Sequence, residues 1–300
     1  MYEHRYRERK RHGEPDLPLY LYKVEHPAHV RTILPVHWHN EMEIIYLREG
    51  AARFQIESRP YVIHEGEALI VHPGELHSGV NDTGDSPVCY YSIVFKLSWL
   101  SSHHTDRIQN LYLGPLIQGT TRLPPYLSAS QESMTETTLL DYIRRFITTY
   151  EHRLTAYEMI LKGLLTLLVA EIYQADLIEH TDVPDKHRDM EENEQVKKVL
   201  GYMEEHFREK VQLDHLAAVV SLSRSHFCTF FKRHTGMRPM EYLNYIRVNQ
   251  AADLLRDGSY NVLEAALESG YQHVSYFTKW FKQFMSMTPS EYREMYQADL

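Results

Sequence analysis

Along residues 34–95 the apolar positions come in short β-rich runs, at 43–47, 52–56, 68–71 and 90–95, separated by Gly, Pro and Asn or Asp. Short runs punctuated in this way predict a small antiparallel β-barrel or sandwich. The period changes after residue 135. Leu139, Leu140, Ile143, Phe146 and Ile147, then Ile160, Leu161, Leu164, Leu165 and Leu168, recur at three- and four-residue spacing and predict two helices within 135–178. Residues 181–193 carry Pro184, many charges and almost no large apolar side chain, the composition of a linker. Residues 195–207 then show an amphipathic helical pattern, and helical periodicity continues to the end of the chain.

That last stretch contains a repeat. A shift of 50 residues places Phe227 on Phe277, Phe231 on Phe281, Lys232 on Lys282, Met237 on Met287, Pro239 on Pro289, Glu241 on Glu291 and Tyr242 on Tyr292. These seven identities in the sixteen positions 227–242 imply a duplicated unit. Upstream the shift is 49, pairing Ala217 with Ala266 and Ser221 with Gly270, so the second copy has one extra residue in its turn. Each copy reads as a short helix (213–220; 262–269), a turn and a second helix (223–234; 275–284), the outline of a helix-turn-helix. Pro239 and Gly258 bracket a helix that joins the two units.

In the first unit Phe227, Phe230 and Phe231 fall on one face of the second helix, and Arg224, Ser225, Cys228, Thr229 and Lys232 on the other. In the second unit Phe277, Trp280, Phe281 and Phe284 supply the core, leaving Ser275, Tyr276, Lys279 and Gln283 outside. A helix fits the major groove of double-stranded DNA, and two readers on one connector match groove faces ~34 Å apart.

Charge alters the picture only by where it lies. The chain has 32 basic and 41 acidic residues, a net −9, which is not the balance of a nucleic-acid binder. Residues 194–300, however, hold 13 of each sign, so the first 193 residues carry the whole −9 (19 against 28), and only the neutral rear half is suited to approach phosphates. A length of 300 residues suits two domains. Two cysteines, Cys89 and Cys228, make neither a disulfide framework nor a thiolate metal site. The basic residues Arg5, Arg7, Arg9, Lys10 and Arg11 are followed by no apolar segment, so no secretory signal is expected. The apolar stretch 164–170 is far short of the ~20 residues of a membrane span, and a cytoplasmic protein is expected.

At this point a resemblance becomes specific. The segments LDHLAAVVSLSRSHFCTFFKRHTGMRPMEYLNYIRVNQAADLL (213–255) and VLEAALESGYQHVSYFTKWFKQFMSMTPSEYR (262–293) resemble the DNA-binding domain of the AraC/XylS family of bacterial transcription regulators over residues 196–296. Ser286 stands where the family commonly has glycine. The resemblance implies base contacts from Ser225, Cys228 and Thr229 in the first reader and from Ser275, Tyr276 and Lys279 in the second, with Arg224, Lys232 and Lys282 on phosphates. The first reader offers no Arg, Asn or Gln for bidentate base recognition, so its half-site would be read by apolar contact or DNA shape. A homodimer formed through the helices of 135–180 is a further implication, and RNA polymerase a further partner.

The front half resembles a cupin, the usual sensor barrel of that family. His37-Trp38-His39, Glu43 and Gly50 match one cupin motif, and Gly66, His72-Pro73-Gly74, His77 and Asn81 the other, with His72 in place of a proline and Arg31 in place of a glycine. His37, His39, Glu43 and His77 occupy the motif's metal-ligand positions, and strand alternation sends His37 and His39 to one face. Such a set suits Zn, Ni, Mn or Fe. The same residues could instead line a pocket for a small-molecule effector, with carbohydrate the first expectation. The expected fold is α+β: a cupin-like antiparallel barrel at 1–134, a helical appendage at 135–180, a linker at 181–193, and an all-α domain of two helix-turn-helix units at 194–300. The expected function is effector-responsive, sequence-specific DNA binding without catalysis. The competing reading is a metal-dependent cupin enzyme fused to a helical regulatory domain.

Overall fold

The computed structural model describes residues 12–14, 16–81, 84, 86–102, 106–128, 134–180 and 183–297, and the basic residues Arg5 to Arg11 lie outside them. The front half is built from β1 (Leu19–His26), β2 (Thr32–His37), β3 (Met42–Glu49), β4 (Ala51–Ile56), β5 (Arg59–His64), β6 (Ala68–Val71), β7 (His77–Val80) and β8 (Val88–Phe95). After these come α1 (Gly114–Gln118), β9 (Thr121–Arg122), β10 (Tyr126–Leu127), α2 (Met134–His152), α3 (Tyr157–Gln174) and β11 (Glu179–His180). One sheet runs β1-β8-β3-β6-β10 and the other β2-β7-β4-β5, with antiparallel pairing throughout.

Alternation along the strands assigns each face. On β3, Ile45 and Leu47 join Ile33, Phe54, Ile63, Leu69, Val71 and Tyr90 in the core between the sheets. Met42, Ile44 and Tyr46 point the other way, with Tyr91, Ile93 and Phe95 of β8, and meet Leu139, Ile143, Phe146, Leu161, Leu165 and Leu168 of α2 and α3. With both faces covered, β3 reads as a continuous apolar run, interrupted by Glu43 on the inner face. The stripe Leu161, Leu164, Leu165 and Leu168 is therefore core of this domain. The opposite face of α3 presents Met159, Ile160, Gly163, Thr166, Leu167 and Ala170 to solvent.

The rear half consists of α4 (Val183–His206), α5 (Leu213–Val219), α6 (Arg224–Thr235), α7 (Pro239–Asp257), α8 (Val262–Glu268), α9 (Val274–Met285) and α10 (Pro289–Gln297). Helix α4 takes in residues 183–193, so the expected linker is helical. Pro184 sits in its first turn, where the missing N–H has no helical acceptor to lose. The repeat is visible in the backbone. The turn between α5 and α6 spans residues 220–223 and that between α8 and α9 spans 269–273, one residue longer. Ser221 and Gly270 both take positive φ, 55° and 83°. Gly236 and Ser286 both cap their helices in the left-handed region, at 73° and 61°. Each unit has its own core: Phe227, Phe230 and Phe231 with α4, α5 and the start of α7, and Phe277, Phe281 and Tyr292 with the end of α7.

The barrel is docked on the first unit. Val36 and Leu76, 5% and 0% exposed, belong to the same core as Val196, Leu200, Phe231 and Tyr242, and Trp38 packs against it. The Tyr242 hydroxyl donates to the Val36 carbonyl at 3.4 Å, the Gln55 amide donates to the Arg233 carbonyl, and the Lys197 ammonium lies 4.3 Å from the Trp38 ring centroid. Glu57, in the β4–β5 turn, braces this contact. Its N–H donates to the Leu76 carbonyl at 2.7 Å and its Oε1 accepts from the Leu76 N–H at 3.0 Å. Part of the side chain reaches the surface, but Oε2 is shut off from water with no hydrogen-bond partner. Burial, and then the neighbouring Glu75 carboxylate, push the Glu57 carboxyl up to about 8.

Two outcomes are expected from these features. A Cβ on Gly270 would lie 2.6 Å from the Phe207 carbonyl oxygen at a positive φ, so Gly270→Ala should lower stability by roughly 1–3 kcal/mol, whereas Ser286→Gly should raise it by up to ~1 kcal/mol. Urea unfolding measures both, and a neutral Gly270→Ala would contradict the close approach. Because the folded chain keeps a proton on Glu57 that the unfolded chain releases near 4.5, folding stability should fall as pH rises from 4.5 to about 8. Glu57→Gln should flatten that slope and be the more stable form at pH 8. Parallel pH profiles for the two proteins would show that Glu57 does not titrate across this window.

Candidate functional site: reading helices and a histidine cluster

Helix α6 starts at Ser223, whose Oγ accepts from the His226 N–H at 3.4 Å, and so fixes the first turn. Arg224, Ser225, Thr229 and Lys232 are exposed and Cys228 is half-buried. The Thr229 hydroxyl donates back to the Ser225 carbonyl at 3.3 Å, and Arg224 lies 3.8 Å from Asp214 in an exposed pair of small energetic weight. On α9, Ser275, Tyr276, Lys279 and Lys282 are exposed, with Tyr276 48% accessible. Behind them Trp280 and Phe284 stack at 5.5 Å. All nine residues expected at a DNA surface thus stand on the outer faces of the two second helices. Arg233 turns the other way, to Glu192 at 2.6 Å.

The second constellation lies inside the barrel. His37 ends β2, His77 begins β7 directly opposite it, and Glu43 lies on β3. His39 is two residues past the end of β2, yet its ring remains on the inner side. The ligand-capable atoms of the four residues lie within 4.8 Å of one another. His39 Nε2 is 3.0 Å and His77 Nε2 2.9 Å from Glu43 Oε2, and the Ser92 hydroxyl donates to Glu43 Oε1 at 2.5 Å. His39, Glu43 and His77 are all at most 2% exposed.

The other ring nitrogens decide the chemistry. Nδ1 of His37 bonds the Pro35 carbonyl at 2.8 Å, Nδ1 of His39 the Glu41 carbonyl at 3.1 Å, and Nδ1 of His77 the Glu75 carbonyl at 2.9 Å. A carbonyl only accepts, so each Nδ1 donates to it, and the Nε2 atoms of His39 and His77 face Glu43 Oε2. Metal-binding histidines are held in this way by a carbonyl on the far nitrogen. Burial alone would raise the Glu43 carboxyl, but its contacts with His39 and His77 outweigh burial and hold it well below the usual carboxylate range. Ligand-capable atoms of three histidines and one buried anion therefore converge on a point that favours positive charge, either protons shared with the rings or a divalent ion. The residues fit such an ion by donor type and by orientation.

Glu43 and His37 also line a cavity of about 400 Å³ at the seam where β1 and β2 leave the two sheets open. Its far wall is the helical domain: Glu204 of α4 and Tyr242, Tyr245, Ile246, Asn249 and Gln250 of α7. The sequence offered no sign of this wall, because these residues read simply as one side of a connector helix. His12, whose ring lies 5.4 Å from that of His39 and bonds the Tyr22 hydroxyl at 3.0 Å, was also missed, lying ahead of any strand pattern. Ser92 could have been found from the alternation along β8. His72, which stands in place of a motif proline, is buried and bonded to the Leu123 carbonyl at 3.1 Å. Burial pulls its imidazole below the usual range.

No helix among the described residues is long and apolar enough to cross a membrane. Residues 18–166 match the AraC-like ligand binding domain and residues 216–295 a helix-turn-helix domain. The chain is 28% identical over 290 residues to an uncharacterized HTH-type transcriptional regulator, YdeC, of Bacillus subtilis, covering 95% of this chain and 94% of that one. It is 25% identical to the HTH-type transcriptional activator RhaS of an Enterobacter species, covering 91% and 92%. It is 24% identical to the melibiose operon regulatory protein of Escherichia coli, covering 93% and 92%. Both halves of the molecule thus match the same kind of protein, in the same order and over nearly the full length. The chain belongs to the AraC family of DNA-binding transcription regulators, with a ligand-binding barrel ahead of its helix-turn-helix domain, and it is not an enzyme.

Proposed function

We propose that the chain is a cytoplasmic, homodimeric regulator that reads two successive major-groove faces with α6 and α9 and responds to a small molecule in the cavity between barrel and α7. The duplication carries this reading. Two units of one design stand at the ends of a 19-residue helix, ~28 Å long at 1.5 Å per residue, close to the ~34 Å between successive major-groove faces. Ser225, Cys228 and Thr229 then face bases from α6, and Ser275, Tyr276 and Lys279 from α9. Arg224, Lys232 and Lys282 neutralise phosphates. The cavity combines tyrosine rings with Asn249, Gln250 and Glu204, a lining suited to a polyol, and the likeness to a melibiose operon regulator favours a carbohydrate. Dimerisation is assigned to the uncharged outer face of α3 around Met159, Ile160 and Leu167. RNA polymerase is the further partner, as the likeness to a named activator supports. The domain limits we adopt are 1–134 for the barrel, 135–180 for the helical appendage and 194–300 for the DNA-binding domain.

The reading includes a divalent ion, Zn, Ni, Mn or Fe, held by His37, His39, Glu43 and His77. It is supported by the three Nδ1–carbonyl bonds, which orient the rings, and by the ligand-capable atoms of the four residues gathered around the Glu43 carboxylate. An ion there would supply a positive charge at the cavity floor, while the chain's own residues orient it and exclude water.

Two measurements test these assignments. Lys279→Ala should weaken binding at the base it contacts by ~1–3 kcal/mol, whereas Lys232→Ala should weaken all sequences about equally and flatten the salt dependence. Equal losses on cognate and scrambled DNA for Lys279→Ala would remove it from the base readers. Elemental analysis of untagged protein incubated with Zn, Ni, Mn or Fe should find about one ion per chain, with less retained at lower pH because protons compete for the imidazoles. His39→Ala should abolish it. A metal content near zero in the wild type would leave the four residues as pocket lining.

A further inference from the structure

We propose that Arg247 is a positioning residue for DNA recognition: it ties the end of α4 to the turn that leads into α9, and so fixes the spacing at which the two readers meet DNA. The inference rests on the reading of α6 and α9 as two base-contacting helices. Arg247 stands half-buried near the middle of α7, between the two units. Its Nε donates to the Phe207 carbonyl at 2.7 Å and its Nη2 to the Glu209 carbonyl at 2.8 Å. Both carbonyls lie just past the end of α4, where backbone acceptors run out of helical partners and positive charge is favoured. The carbon of the same guanidinium is 5.6 Å from the ring centroid of Tyr271, in the α8–α9 turn. Phe207 belongs to the core of the first unit and Tyr271 to that of the second, so one side chain bridges the two.

The duplication shows that this contact is a joint between units and not a requirement of the helix-turn-helix. Ser221 and Gly270 occupy the same place in the two turns and both take positive φ, yet Ser221 keeps an exposed side chain. The left-handed backbone therefore does not by itself demand glycine here. What differs is the neighbour: a Cβ on Gly270 would lie 2.6 Å from the Phe207 carbonyl oxygen and 2.8 Å from the Arg208 Cα. The end of α4 presses on the second turn, and Arg208 and Glu268 pair across the same contact at 3.7 Å. From this joint the path to the reading face is short. The Tyr271 hydroxyl donates to the Asn244 carbonyl of α7 at 3.2 Å, and its buried ring stands 6.1 Å from that of Tyr276 on the outer face of α9.

The magnitude decides what the joint can do. With major-groove faces ~34 Å and ~10 bp apart, one base pair is a step of ~3.4 Å and a rotation of ~36°. The two Arg247 bonds, at 2.7 and 2.8 Å, are lost once their atoms part beyond ~3.5 Å. A second reader displaced by one base pair cannot keep both. Without them the second unit retains its packing on the end of α7 but loses this tie to α4.

The test uses the full chain and a two-block duplex enriched from a random pool by the wild type, with companion duplexes whose blocks are set one base pair closer or farther apart. Anisotropy measures affinity for each and for scrambled DNA. The wild type should prefer the enriched spacing by about tenfold or more. Arg247→Met keeps the length and helix propensity of the side chain but not its bonds. It should lose most of that preference while binding scrambled DNA as the wild type does. Arg247→Lys, whose ammonium can serve one carbonyl but not fork across both, should keep an intermediate preference, and it is the second variant should Arg247→Met fail to fold. A wild type that binds all three spacings equally, or folded variants that keep its preference, would overturn the inference and leave the two readers in place. A folded variant that weakens on every duplex alike, scrambled DNA included, would reduce Arg247 to a structural role and overturn it as well. Enrichment of a single block by the wild type would overturn the reading of two base-contacting helices, and the inference with it.

Discussion

Side chains on a β-strand alternate between two faces, and where the end of β2 meets the start of β7 both faces are packed against protein. Inward, His37 and His77 help close the histidine cluster around Glu43. Outward, Val36 and Leu76 sit in the core of the first helix-turn-helix unit. Neither strand can move without disturbing one side or the other. This shared backbone ties the barrel to the first helix-turn-helix unit, whereas no barrel residue among the described ones belongs to the core of the second. The cavity at the open seam between β1 and β2 follows from the same arrangement, because α7 covers the edges that the two sheets leave unpaired.

The electrostatics of the cluster have one source as well. Three carbonyl groups, each two residues from the histidine it contacts, hold the Nδ1 atoms and turn the Nε2 atoms of His39 and His77 toward a buried carboxylate. Such a centre is costly when empty and favourable around a cation. A barrel of purely apolar lining could hold a ligand, but it would have no comparable means of distinguishing a loaded state from an unloaded one.

The repeat, its turns and the outer faces of α6 and α9 were legible in the sequence because duplication prints identities at fixed spacing. The extra residue in the second turn and the left-handed positions at Ser221, Gly270, Gly236 and Ser286 followed the alignment. The cluster was legible because its four residues come from two compact motifs. The strands were less so: β5, with Arg59 and Pro60, is an exposed edge, β7 reads HSGV with little apolar character, and β2 is interrupted by Pro35. The segment 183–193 read as a linker because its charges outweigh its apolar residues, whereas in the fold it opens α4. The docking of barrel on helices was not legible at all. Val36 and Leu76 are ordinary apolar residues, and nothing local shows that their partners lie more than a hundred positions away.

The central claim is that two unequal readers on one rigid connector recognise DNA, the second by polar contact and the first with little hydrogen-bonding chemistry of its own. Selection of bound sequences from a random DNA pool by the full chain addresses it most directly. The account predicts enrichment of two blocks centred one helical turn, ~10 bp, apart, with the block under α9 the more sharply defined, since Lys279 and Tyr276 have no equals in hydrogen-bonding reach among Ser225, Cys228 and Thr229, the positions of α6 assigned to bases. A single enriched block, or no enrichment over the starting pool, would contradict it.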